Sequence, residues 1–158
     1  MNDVLLIVLA WLNAGTPRPA ASNPGPAPRV VVVVDRNMRD AAMAVADPVR
    51  PVIYINPSVL DELEPPFVTF VLRHEHAHIR FGHQRPDRNQ GTTVGVERLL
   101  RSYELAADCL AAAELGSTQP DAVSAAVRFF AKLGATRIDA EHPAGNERAA
   151  MIRACSTG

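Results

Sequence analysis

The chain has 158 residues, 16 Lys and Arg against 17 Asp and Glu, a net charge of −1 and 47% hydrophobic residues. That length is enough for one domain with its own core. The charge balance, with no arginine–aromatic stripe, excludes nucleic acid as an expected partner.

Val4 to Leu12 is a run of nine apolar residues, too short to span a bilayer as a typical helix. It fits the hydrophobic region of a signal peptide with Leu12-x-Ala14 as a rough cleavage site, which places the protein outside the cytoplasm or secreted. Asp3 and the lack of an early Lys or Arg fit the rival instead: an N-terminal helix packed under the sheet of a cytoplasmic protein. Either way the run can associate with a membrane without crossing it. Thr16 to Pro28 is a Pro/Ala/Ser/Gly linker. Residues 1–28 thus read as an apolar segment plus linker, and 29–158 as the folded domain.

Arg29 to Asp35 holds five consecutive valines, expected to form a buried strand because they are β-branched. Arg36 to Asp40 turns the chain. Ala42 to Ala46 and Val52 to Asn56 are the second and third strands. Ser58 to Leu63 is one helical turn.

The next helix is expected over Pro66 to His83, opened by Pro65-Pro66. Phe67, Phe70, Val71, His74 and His78 fall at helical spacing within it. His74-Glu75-His76-Ala77-His78 matches H-E-x-x-H. Residues four apart share a helix face, so His74 and His78 can grip one metal ion. Glu75 sits about 100° round the helix, beside that metal, where it can deprotonate a water. His76 points to the opposite side and is read as exposed or packed.

A catalytic zinc keeps three protein ligands and one open position, so a third ligand is needed. The pattern H-E-x-x-H-x-x-G-x-x-H would require Gly at 81 and His at 84, but the chain has Phe81 and Gln84. His83 lies five residues past His78, about 140° off the ligand face, and is read as structural. A second helix, roughly Val94 to Leu115 and stopped by Gly116, offers Glu104 and Asp108 four apart on one face. Glu104 can ligate zinc, with Glu97 in reserve. Asp108 can accept the spare N–H of a ligand histidine and so fix its ring. In the bland alternative, Glu97, Arg101, Glu104 and Asp108 form a solvated ion-pair stripe. The polar stretch Gln84 to Thr93 joins the two helices as a mobile loop.

Cys109 and Cys155 allow one disulfide, pinning the last helix to the second metal-bearing one, or remain two buried thiols. Thr118-x-x-Asp121 reads as a capping-box variant opening a helix, with Pro120 in its first turn and its end at Leu133–Gly134. The last helix covers about Asn146 to Ala154. His142 lies before it. It can return to the site and donate a hydrogen bond to an oxyanion, or His142-Pro143 can be a helix-entry turn with Pro143 in the first turn. Arg148 and Tyr103 are further candidate donors.

Taken together, His74-Glu75-x-x-His78, His83, Glu104-x-x-Ala107-Asp108, His142-Pro143 and Glu147-Arg148 resemble the gluzincin metallopeptidases. The resemblance is closest to the family of the CAAX prenyl proteases and HtpX-like heat-shock proteases, over residues 29 to 155. It implies His74, His78 and Glu104 as Zn2+ ligands, Glu75 as general base and Asp108 behind a ligand histidine. It also implies that the Ala42–Ala46 strand faces an extended peptide substrate. The large membrane-spanning segments of that family are absent here, so the chain resembles a minimal, soluble version of the catalytic domain.

The expected fold is therefore α+β: a small three-stranded sheet packed on a helical array, zincin-like, with zinc between two helices. The expected function is zinc-dependent hydrolysis of peptide bonds in a peptide or protein substrate, with Glu75 and His142 in catalytic roles. The alternatives are a catalytically silent zinc-binding module of the same fold, a structural protein whose histidines never meet metal, and a zinc hydrolase acting on another bond.

Overall fold

The structure, a computed structural model, describes residues 29–84 and 92–157. The expectations for the apolar segment and linker of residues 1–28, and for most of the loop expected over Gln84 to Thr93, lie outside these.

The architecture is α+β, as the residue patterns imply. Strands β1 (Val31–Val34), β2 (Ala42–Val45) and β3 (Val52–Ile55) are followed by helices α1 (Pro57–Leu60), α2 (Pro65–Phe81), α3 (Thr93–Gly116), α4 (Pro120–Leu133) and α5 (Gly145–Cys155). The sheet order is β1-β3-β2. β1 runs parallel to β3 with Val31 opposite Val52, and β2 runs antiparallel to β3 with Ala42 opposite Ile55. β3 is central and buries Ile53, which is 1% exposed.

The valine run does not form a buried strand. Val31 to Val34 are 37–58% exposed, because β1 is an edge strand that pairs with β3 alone. β-branching sets the extended backbone but not what covers it.

Asn56 joins the sheet to the helices. Its amide donates to the carbonyls of Arg36 (3.3 Å) and Met38 (2.7 Å), while its oxygen accepts from the Ser58 amide (3.1 Å) and caps α1. α2 begins on Pro65-Pro66, where the missing proline N–H would be unpaired anyway. It ends earlier than expected. Gly82 adopts φ 63°, its N–H reaches the Ile79 carbonyl and the His83 N–H reaches that of His78, both at 3.0 Å. This Schellman pattern reverses the chain and costs glycine no steric strain.

The helical core joins Phe67 and Phe70 of α2, Ala111, Ala112 and Leu115 of α3, Val123, Ala126 and Phe130 of α4, and Ala149 and Ile152 of α5. Its many alanines let the helix axes approach closely. At Gly145 the approach is closer still, since an added Cβ would lie 2.3 Å from the Phe130 carbonyl oxygen. A disulfide between Cys109 and Cys155 ties α3 to α5. On the surface, Arg73 and Arg80 of α2 both pair with Glu114 of α3.

Two expected helix entries are corrected. Thr118 does not cap α4: the capping position is Gln119, without a side-chain bond, and the Thr118 hydroxyl donates back to the Glu114 carbonyl at 3.1 Å. Pro143 lies outside α5, ahead of its capping residue Ala144, whose N–H donates to Glu147 at 2.8 Å. Among the described residues no helix is long and apolar enough to cross a membrane.

Candidate metal centre

The site lies between α2 and α3. One turn of α2 separates His74 from His78 and turns both rings toward α3, where Glu104 meets them. His74 Nε2 and His78 Nε2 are 3.0 Å apart. Glu104 places Oε2 3.2 Å from His74 Nε2 and Oε1 3.3 Å from His78 Nε2. A tetrahedral zinc with bonds of 2.0–2.1 Å needs donor atoms about 3.3 Å from one another. The observed spacings match that demand, and among the described residues only these three side chains form such a group. Glu97 does not join it; it pairs with Arg101 at 3.7 Å along α3. His76, half-buried, stands outside it.

Each imidazole is supported from behind. Asp108, 0% exposed, sets Oδ1 2.9 Å from His74 Nδ1. Arg148 of α5 grips that carboxylate with two bonds of 2.7 Å, Nε to Oδ2 and Nη2 to Oδ1. Its guanidinium lies 4.0 Å over the Phe130 ring and 3.6 Å from Glu104 Oε2. The solvated-stripe alternative for Glu104 and Asp108 is thereby excluded. Arg148 is no open donor; it completes a buried ion pair. Behind His78 stands His83, with the two Nδ1 atoms 3.1 Å apart. The His83 ring stacks on Tyr103 at 4.1 Å and 9°, so Tyr103 too is engaged.

Burial opposes charge on His74, but Asp108 and Glu104 outweigh it and push the ring up to about 10. Burial also opposes charge on Glu104, yet His74 and His78 hold it far below the ordinary carboxylate range. Asp108 is likewise held low against burial, chiefly by Arg148. The carboxylates thus favour positive charge at this point, which a proton on His74 or a metal ion can supply. His83 is different: burial, then the neighbouring His78, lowers it to about 4.

The group opens into a cavity of about 850 Å³. Glu75, 9% exposed, lines it beside His74, His78 and Glu104. So do the β2 segment from Ala41 to Asp47 and an apolar wall including Leu63, Phe67, Phe70 and Phe129. His142 lines it from the loop before α5, with Nε2 3.7 Å from Glu104 Oε2. Asp139 holds its other nitrogen at 2.8 Å. Asp139 and the supporting roles of Arg148 and His83 escape a reading of the sequence. The only signals are the three-residue spacing of Asp139 and His142, and the left-handed glycine before His83.

No protein-family profile, curated protein or solved structure matches this chain. The chemistry of the site therefore rests on its own residues.

Proposed function

We propose that the protein is a zinc metallopeptidase of the gluzincin type. The observation that carries the reading is the His74–His78–Glu104 triangle, spaced for a tetrahedral ion beside a buried glutamate and open to a cavity. His74, His78 and Glu104 would hold Zn2+ and Asp108 would orient His74. Zinc, when bound, supplies Lewis-acid polarisation of the scissile carbonyl and acidifies water.

The chain's own residues do the rest. Glu75 takes a proton from the attacking water and returns it to the departing amine. His142 donates its Nδ1–H to Asp139, and when the ring carries its second proton its Nε2–H serves the developing oxyanion. The β2 main chain along the cavity offers hydrogen bonds to an extended peptide, and the apolar wall receives its side chains. The resemblance of H-E-x-x-H and E-x-x-A-D to the CAAX prenyl protease and HtpX-like family accords with this reading. The disulfide favours an oxidising compartment, and so the exported form of the protein.

The test is Glu75→Gln assayed on a peptide library with zinc content measured in parallel. Zinc should stay at the wild-type level while turnover falls by roughly 10²–10⁴-fold, the usual contribution of a general base. Full turnover in the variant removes Glu75 from the mechanism. Zinc binding in the wild type without any turnover would leave a silent metal-binding module.

A further inference from the structure

We infer that His83 is a positioning residue for the metal ligand His78, acting through the nitrogen that faces away from the ion. The inference rests on the metal-centre reading and extends it to a residue outside the ligand set. His78 turns Nε2 toward Glu104 and His74. If Nε2 binds a metal, the proton of the neutral ring must sit on Nδ1. The atom that faces this N–H is Nδ1 of His83, 3.1 Å away. His83 then accepts there and carries its own proton on Nε2. Both tautomers are set by one hydrogen bond.

The placement of His83 is built rather than incidental. Gly82 reverses the chain, and the His83 N–H closes on the His78 carbonyl, so His83 is attached to the backbone of the residue whose ring it supports. Tyr103, next to the ligand Glu104 on α3, stacks on its ring at 4.1 Å, and Phe81 stacks at 5.1 Å. Gln84 fastens the same segment to the residue just after β2 by donating to the Ala46 carbonyl at 3.2 Å. His83 therefore has a fixed ring plane and a single lone pair aimed at the ligand.

The experiment compares zinc affinity of the full chain by competition with a chromophoric chelator, alongside the melting temperature of the metal-free protein. The variants are His83→Phe, which keeps the stack and removes the acceptor, and the size-matched pair His83→Gln and His83→Met. His83→Phe should bind zinc roughly 10–100-fold more weakly, the usual effect of losing a partner behind a metal ligand. Its metal-free melting temperature should stay near that of the wild type. Gln, with a carbonyl oxygen that accepts, should recover much of the loss, whereas Met should not. Wild-type affinity in His83→Phe overturns the inference and leaves the metal centre standing. If the wild type itself takes up no zinc, centre and inference fall together. Should His83→Phe fail to fold, equal affinity in the Gln and Met variants overturns the inference, and a tighter Gln variant supports it.

Discussion

His74 and His78 aim equivalent nitrogens at one point, yet the structure supports them by opposite means. Behind His74 lies buried charge: Asp108, fully enclosed and gripped twice by Arg148. Behind His78 lies a neutral ring held by stacking on Tyr103. A buried carboxylate raises the basicity of its histidine but must be neutralised, and so it commits a third helix, α5, to the site. A neutral acceptor orients its histidine without needing a counter-charge, so a local turn and ring stacking are enough to hold it. Damage to the first support should therefore spread into stability, and damage to the second should stay with the metal.

Glu104 touches both rings, so its loss should have the largest effect. Glu104→Ala should abolish zinc retention through desalting, while the wild type keeps about one ion per chain, the stoichiometry of a single tetrahedral site. Metal analysis showing stoichiometric zinc in the variant would remove Glu104 from the ligand set.

Asp108→Ala comes next. It removes both short bonds to the Arg148 guanidinium and leaves it only the longer contact with Glu104 at 3.6 Å; breaking a buried pair costs roughly 3–5 kcal/mol. Urea unfolding of the metal-free protein measures it directly. A loss no greater than that of His83→Phe would erase the distinction between the two supports.

The smallest effect is a pH dependence of the metal-free protein, where the supports should fail on opposite sides. His74 is raised from 6.5 to about 10. Its contribution is complete below 6.5 and is lost as pH climbs through about 10. His83 is lowered from 6.5 to about 4, so its contribution is present above 6.5 and is lost as pH falls toward 4. The lowered carboxylates of Glu104 and Asp108 add to the loss in acid. Melting temperature should thus peak near pH 6.5, and bound zinc should widen its advantage toward alkali because it displaces the His74 proton. A metal-free melting temperature that climbs steadily from pH 6.5 to 9 would contradict the His74 assignment.

The legible parts of the site share one property: they repeat at helical spacing. His74 with His78, and Glu104 with Asp108, are four apart, and local helix geometry places each pair on one face. The α+β class, the three strands and helices α2 to α5 follow from equally local signals. Helical spacing carried to residue 83 puts His83 off the face of His74 and His78, but Gly82 ends the helix and turns His83 back. The valine run is exposed because strand burial depends on which neighbours arrive, and β1 has only β3. Arg148 sits 40 residues from Asp108, and no periodicity connects them. Asp139 was within three residues of His142, but only the loop's conformation turns that proximity into a bond.

Residue spacing is enough for the parts whose geometry is set within a few residues: one helix with two histidines on a face, another with two carboxylates on a face, extended strands, and glycines where the chain turns. The tertiary structure decided which donors meet, what stands behind each of them, and which strand is left at an edge. The physical reason is range: helix and strand geometry follows from neighbouring dihedrals, whereas hydrogen bonds and ion pairs between elements exist only once the helices have packed.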